Sequence, residues 1–138
     1  MFDVLVVEDQ EVDVIFLRKA FERSDYAVNL HVVQDGEEAL NFLYQRDQYK
    51  SSERPSLILL DIKMPRKSGH EVLSIIKADD DLKYIPVVMF SSSDAPSDVK
   101  KSYGHYANAY LQKPRNFEDM EDIVNVLCRF WLSHVKLP

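Results

Sequence analysis

Two apolar runs in this chain each end in acidic side chains. Residues 57–60 (LILL) are followed by Asp61, and residues 4–7 (VLVV) are followed by Glu8 and Asp9. A strand that is apolar at every position is typical of a parallel sheet with helices on both faces. A carboxylate at the end of such a strand is costly to bury unless it is paired or binds a cation. The two runs therefore favour an α/β fold and mark these strand ends as a candidate site.

The remaining sequence alternates further apolar runs with segments of helical spacing. Strands are predicted at residues 29–33, 87–90 and 109–112. Helices are predicted through Leu17 and Phe21, after Asp35 as a capping residue, from Gly69 onwards, over residues 94–102 and over residues 117–133. Five strands alternating with five helices predict a doubly wound, five-stranded parallel sheet. The expected strand order is 2-1-3-4-5, as in flavodoxin.

Length, charge and cysteine content restrict the class of protein. A chain of 138 residues can bury its own core, and we expect a single domain over residues 1–138 with no output domain. A net charge of −6 without a basic stripe argues against direct binding to nucleic acid, and no apolar segment approaches the length of a membrane span. The one cysteine, Cys128, excludes an internal disulfide and favours a reducing compartment. A cytoplasmic protein is therefore expected.

The predicted topology brings the charged strand ends together. In the order 2-1-3-4-5 the strand order reverses between the first and third strands, and open α/β sheets bind ligands at that point. Glu8, Asp9 and Asp61 end these two strands, and Lys113 ends the fifth. Converging carboxylates are best tolerated around a divalent cation, and hard oxygen ligands favour Mg²⁺. Asp61 could then form an aspartyl phosphate, with Lys113 and the Ser91 hydroxyl stabilising the transferring group.

Five features occur in order along the chain, each weak alone and specific in combination. They are Glu8-Asp9 after the first strand, Asp61 with Met64-Pro65 and Gly69, Ser91 after the fourth strand, Tyr110 in the fifth, and Lys113-Pro114. Together they resemble the response-regulator receiver domain, a CheY-like fold, over residues 3–133. The resemblance implies a two-component phosphorelay protein for signal transduction. It further implies no turnover of an external substrate, since such a domain catalyses only its own phosphorylation and dephosphorylation.

The resemblance also implies a metal and phosphate site. Asp61 would accept a phosphoryl group from a sensor histidine kinase. Asp9 and Asp61 would bind Mg²⁺ directly, together with the backbone carbonyl of Lys63, and Glu8 would act mostly through water. Glu8 stands where many members of the family carry Asp, which keeps the charge and would change the metal affinity.

The same resemblance implies a switch. Lys113 would pair with the phosphate, Ser91 would move toward it, and Tyr110 would turn inward behind Ser91. By spacing alone, Tyr110 is a packing residue in the fifth strand. The switch would alter the face formed by the fourth helix, fifth strand and fifth helix, and so change the binding of a downstream protein or of a second copy of the chain.

A narrower resemblance rests on the end of the chain and on one long connection. Residues 130–133 (FWLS), the final Leu137-Pro138 and the polar stretch over residues 45–55 are similar to small stand-alone regulators of bacterial phytochrome histidine kinases. A phytochrome kinase is thus an expected partner.

Three other functions remain as alternatives. A phosphatase of the haloacid dehalogenase type would need a second Asp two residues after Asp61, where this chain has Lys63. A flavodoxin-type flavin carrier would need a phosphate-binding loop after the first strand, where Glu8-Asp9-Gln10-Glu11 would repel an anion. A receiver that acts as a scaffold without phosphorylation is the third.

The histidines and the cysteine are expected to have only structural roles, whereas the role of Phe130 is open. The four histidines show no metal-ligand spacing and are expected at the surface; they are His31, His70, His105 and His134. Cys128 is expected to pack in the core. Phe130 points away from the apolar stripe of the last helix, so its role is left open between exposure and contact with a partner.

Overall fold

The computed structural model describes residues 1–138. Its strands are β1 (Phe2–Val7), β2 (Val28–Val33), β3 (Leu57–Leu60), β4 (Val87–Ser91) and β5 (Ala109–Gln112). Its α-helices are α1 (Glu11–Arg23), α2 (Gly36–Leu43), α3 (Gly69–Ala78), α4 (Pro96–Gly104) and α5 (Phe117–Leu127). A short 3₁₀ turn, Asp47–Tyr49, lies in the connection before β3. None of the helices has the length and hydropathy needed to cross a lipid bilayer.

The five strands form one parallel sheet in the order β2-β1-β3-β4-β5, which confirms the predicted topology. Val7 at the end of β1 pairs with Val33 of β2 on one side and with Leu60 of β3 on the other. The residues that follow β1 and β3, Glu8 and Asp61, therefore leave the sheet at the same edge.

The two faces of the sheet form two separate cores because successive side chains of a strand point to opposite faces. Leu5, Val7, Ile58 and Leu60 pack with residues of α2 and α3. The intervening residues of the same strands, among them Val4, Val6, Leu57 and Leu59, pack with α1 and α5. Helices thus cover both faces, which explains why β1 and β3 are apolar at consecutive positions.

Local sequence signals explain most helix boundaries. Asp35 caps α2 by accepting a hydrogen bond from the backbone N–H of Glu38 at 2.8 Å, as predicted. Helix α3 begins at Gly69, preceded by Ser68, which forms a capping box with Glu71. Helix α4 begins at Pro96, two residues later than predicted, because proline is favoured in the first turn and Ala95 before it is extended.

The last predicted helix, residues 117–133, is divided in the structure. The α-helical part ends at Leu127, and the chain continues as a π-helix over Cys128–His134. Cys128 and Leu132 are buried on its inner side, which confirms the packing role predicted for Cys128. Phe130 is 51% exposed and lies on the outer side.

The prediction that all four histidines lie at the surface is wrong for His70. This side chain is only 7% exposed, and its Nε2 lies 2.9 Å from Oγ of Ser102 in α4. The Ser102 hydroxyl donates to the backbone carbonyl of Asp98 at 2.8 Å, so Nε2 of His70 must donate to Ser102. His70 follows Gly69 in the first turn of α3, where helix packing faces it toward α4. Periodicity along one helix could not show that second contact.

Candidate functional site

The ends of β1 and β3 place three carboxylates at one edge of the sheet. Glu8 and Asp61 are 1% and 6% exposed, respectively. Oxygen atoms of Glu8, Asp9 and Asp61 all lie within 4.8 Å of one another. The convergence predicted from the strand order is therefore present, and two of the three carboxylates have little access to water.

Lys113, which follows β5, places a positive charge against two of these carboxylates, Glu8 and Asp61. Its side chain is 5% exposed, it forms an ion pair with Glu8, and its Nζ lies 3.1 Å from Oδ2 of Asp61. The backbone N–H of Lys113 donates to the carbonyl of Ser91 at 2.7 Å, which anchors the residue to the end of β4. The lysine thus reaches across the site from a fixed backbone position.

Burial and mutual contact shift the pKa values of Glu8 and Lys113. Burial raises the pKa of Glu8 to about 7, while the hydrogen bond with Lys113 opposes this rise. For Lys113, burial acts to lower the pKa, but contacts with Glu8 and Asp61 outweigh burial and raise the pKa above its ordinary value. Lys113 therefore stays charged, and one ammonium cannot neutralise the surrounding carboxylates.

Asp9 gives the observation that best fits a cation at this cluster. Its Oδ1 is buried and has no hydrogen-bond partner. By contrast, Glu8 accepts the N–H of Gln10 at 3.0 Å, and Asp61 accepts the N–H of Ile62 at 2.8 Å. Buried carboxylate oxygens are normally paired, so the free Asp9 oxygen beside two further acids suits a hard divalent cation.

The loop between β3 and α3 closes tightly around Asp61. The N–H of Gly69 donates to the carbonyl of Ile62 at 2.7 Å, and a Cβ on Gly69 would overlap the backbone carbonyl of Asp61. Glycine at this position therefore allows helix α3 to start directly against the site. The Lys63 side chain is exposed, two residues after Asp61.

The two predicted switch residues lie on neighbouring strands and are connected through one loop. Ser91 is buried, and its Oγ accepts the N–H of Ser93 at 3.1 Å. The Tyr110 hydroxyl donates to the carbonyl of the same Ser93 at 2.8 Å. The Ser93 hydroxyl in turn donates to Oδ2 of Asp98 in α4 at 2.6 Å. A movement of Ser91 would therefore be transmitted to both β5 and α4.

Sequence reasoning missed one member of the site, Asp13. Its Oδ2 lies 3.0 Å from Nζ of Lys113, so the lysine contacts three carboxylates. Asp13 occupies the first turn of α1, and helical side chains tilt toward the N-terminus, here toward the acid-lined edge. An acid in the first turn of the helix that follows Glu8-Asp9 was the signal available in the sequence.

Comparison with known proteins agrees with this geometry. The family model of the response regulator receiver domain matches residues 4–125. The chain belongs to the response-regulator receiver family. Its resemblance to that family and the CheY-like fold are thus confirmed, and as a receiver domain it functions in a two-component phosphorelay rather than as a classical enzyme. The dehalogenase and flavodoxin alternatives are not favoured. A histidine kinase is the partner that this family implies.

The similar proteins include regulators of phytochrome signalling. Response regulator Rcp1 of Synechocystis sp. is 42% identical over 135 residues, which cover 98% of this receiver domain and 92% of that protein. The crystal structure of the phosphorylated cyanobacterial phytochrome response regulator RcpA has a TM-score of 0.95 at 39% identity, covering 99% of this chain and 98% of that one. The Mn²⁺-bound structure of Rcp1 has a TM-score of 0.93 at 40% identity, covering 100% and 99%. The predicted likeness to phytochrome response regulators is therefore confirmed.

Proposed function

We propose that Asp61 of this receiver domain accepts a phosphoryl group from a sensor histidine kinase in a Mg²⁺-dependent reaction. The observation that carries the proposal is the arrangement around Asp61: a buried carboxylate 3.1 Å from Nζ of Lys113, beside an Asp9 oxygen without a partner. The carboxylate oxygen attacks phosphorus, a P–O bond forms, and the P–N bond of the phosphohistidine breaks. Lys113 stabilises the negative charge on the transferring group.

Mg²⁺ would be held by residues of the acid cluster. Asp9 and Asp61 are proposed as direct ligands together with the backbone carbonyl of Lys63, and Glu8 as a ligand through water. The free Oδ1 of Asp9 and the hard oxygen character of the whole set support this assignment. The bound cation supplies positive charge that lets an anionic phosphoryl donor approach these acids. The Mn²⁺ in Rcp1 is a second metal of the same oxygen-preferring kind.

The output is proposed to be a change at the face formed by α4, β5 and α5. Ser91 would give up the N–H of Ser93 and move toward the phosphoryl group, and Tyr110, which is half-buried and bonded to Ser93, would turn inward with that loop. Tyr103 and Tyr106 lie exposed in and just after α4. Exposed aromatic side chains are favoured in protein interfaces, which supports binding of a partner or a second copy here.

A phytochrome kinase is proposed as the upstream partner. The support is the similarity over nearly the whole chain to Rcp1 and to RcpA, of which RcpA is described as a cyanobacterial phytochrome response regulator. Phosphotransfer from a purified phytochrome kinase at a rate well above that from an unrelated sensor kinase would support this pairing. Equal rates from both would contradict it.

Incubation with Mg²⁺ and acetyl phosphate tests the acceptor assignment. Intact-protein mass spectrometry should show one added phosphoryl group, with none in EDTA and none in Asp61→Asn. Asp94→Asn is the matched control, because Asp94 is an exposed acid in the loop after β4 and should leave phosphorylation unchanged. A phosphoryl group retained by Asp61→Asn would contradict the assignment.

The switch is tested by replacing Ser91. The Ser91→Ala variant should still be phosphorylated, as mass spectrometry will show. The backbone amide chemical shifts of α4 and β5 should, however, change less on phosphorylation than in the wild-type protein. Ser91→Thr is the matched control because it keeps the hydroxyl, and it should restore the response. A full response in Ser91→Ala would contradict the role given to this hydroxyl.

A further inference from the structure

Asp13 contacts Lys113 beside the proposed phosphorylation site, but the phosphotransfer proposed above assigns no role to Asp13. Lys113 contacts three carboxylates: Glu8, Asp61 and Asp13. Glu8 and Asp61 belong to the acid cluster that suits a divalent cation, together with Asp9. Asp13 lies outside that cluster, so it is the one partner of the lysine that is not also a candidate metal ligand.

Cation binding creates a conflict at Glu8 and Asp61. Neither carboxylate can keep its full interaction with the ammonium of Lys113 while it also neutralises a divalent cation, because the two positive groups repel at such short range. Water provides little compensation for the Lys113 ammonium, since the side chain is 5% exposed. The backbone N–H of Lys113 is also bonded to the carbonyl of Ser91, which fixes the position of the residue. The ammonium therefore needs another acceptor within reach of its present position.

Asp13 meets that requirement without a movement of the backbone. Its Oδ2 is already 3.0 Å from Nζ of Lys113. Helix α1 is held against α5 farther along by edge-to-face packing of Phe16 on Phe117, with ring centroids 5.7 Å apart, and by the Arg23–Glu121 ion pair at 2.9 Å. The carboxylate is thus presented from a fixed helix, and its place in the first turn also suits the helix dipole.

We propose that Asp13 is a positioning residue that keeps the ammonium of Lys113 beside Asp61 while Glu8, Asp9 and Asp61 bind Mg²⁺. Asp13 thereby lowers the repulsion between the lysine and the cation and keeps Lys113 ready for the phosphoryl group. This inference rests on the function proposed above and adds a requirement for binding the metal itself, before any phosphodonor is present.

A titration with Mg²⁺ alone, without a phosphodonor, tests the inference. Backbone amide chemical shifts report the binding. Asp13→Asn should raise the dissociation constant for Mg²⁺ about tenfold, the lower end of what loss of an outer-sphere partner causes. Asp13→Glu should retain affinity close to that of the unmodified protein. Glu11→Gln is the matched control, because Glu11 is an exposed acid in the same turn of α1, and it should change affinity by less than about twofold.

A double-mutant cycle with Lys113→Met separates positioning from simple attraction between Asp13 and the cation. If Asp13 acts through the lysine, Asp13→Asn in the Lys113→Met background should cost no more than Glu11→Gln does. An equal loss in both backgrounds would overturn the inference. Circular dichroism will show whether Lys113→Met folds; if it does not, failure of Asp13→Glu to restore affinity overturns the inference on its own.

The outcomes distinguish this inference from the proposed function. If the unmodified protein shows no Mg²⁺ binding at millimolar concentration and no phosphorylation, the proposed function fails, and this inference fails with it. If the wild-type protein binds Mg²⁺ and is phosphorylated, but the Mg²⁺ affinity of Asp13→Asn equals that of Glu11→Gln, only the inference about Asp13 fails.

Discussion

Polar side chains are buried in two regions of this receiver domain, and the two regions differ in how the buried polar atoms find hydrogen-bond partners. Between α3 and α4, His70 donates to Ser102, which donates to a backbone carbonyl, so each group has a partner and none needs a charge. At the strand ends, Glu8, Asp13 and Asp61 contact Lys113, and Oδ1 of the neighbouring Asp9 has no partner. The first region is complete within the chain. The second is not.

The difference distinguishes a structural polar contact, between α3 and α4, from the candidate functional site at the strand ends. Burial lowers the pKa of His70, so the imidazole stays neutral and costs little to bury. Burial raises the pKa of Glu8, yet the neighbouring Lys113 opposes its neutralisation, and the acids remain crowded. In the proposed function, a cation and a phosphoryl group would complete this cluster of acids.

The largest expected effect comes from removing the lysine of the strand-end cluster. Lys113→Met should lower the free energy of unfolding by about 3 kcal/mol in EDTA, because it leaves buried carboxylates without their cation. Mg²⁺ should restore part of this loss. Urea denaturation with and without Mg²⁺ measures both values, and Lys101→Met, an exposed lysine of α4, is the control. If Lys113→Met is as stable as the wild-type protein in EDTA, the strand-end acids do not depend on Lys113, and the proposed difference between the two regions is contradicted.

A smaller effect of opposite sign is expected at Asp9. Asp9→Asn should raise the free energy of unfolding by about 1 kcal/mol in EDTA, because it removes a charge that repels two neighbouring acids. The same variant should lose the stabilisation that Mg²⁺ gives to the unmodified protein. Thermal unfolding with EDTA or Mg²⁺ measures both changes, with Asp94→Asn as control. A variant that Mg²⁺ still stabilises fully would show that Asp9 is not a ligand.

The smallest effect is a pH dependence at the α3–α4 contact. Because burial places the pKa of His70 below its ordinary value of 6.5, the stabilisation it gives is present above that value and is lost as the pH falls below it. The charged neighbours Lys101 and Asp98 and the ring of His105 act on the same group.

Replacing His70 should reveal this dependence. The loss of stability between about pH 7.5 and pH 5.5 should be smaller in His70→Gln than in the unmodified protein, whereas phosphorylation of Asp61 should be unaffected. His134→Gln is the control, since His134 is exposed at the end of the chain. Identical pH profiles for His70→Gln and the unmodified protein would show that this contact does not titrate with folding.

The sequence alone determined the topology and most of the site. Consecutive apolar residues in β1 and β3 indicated strands covered on both faces, and their terminal acids indicated the candidate ligand site. Strand order then brought Glu8, Asp9 and Asp61 together, and a lysine after β5 could be added to them. These features follow from short-range patterns and from the rules of parallel sheets, so they can be inferred without coordinates.

Only the tertiary structure decided the contacts that depend on how one helix lies against another element. Asp13 contacts Lys113 because the first turn of α1 lies against the end of β5, and His70 contacts Ser102 because α3 and α4 pack against each other. The change from α5 to a π-helix after Leu127 was likewise not visible in the apolar stripe. Periodicity specifies which face of a helix is buried, whereas the partner across that face is set by packing between segments distant in the chain.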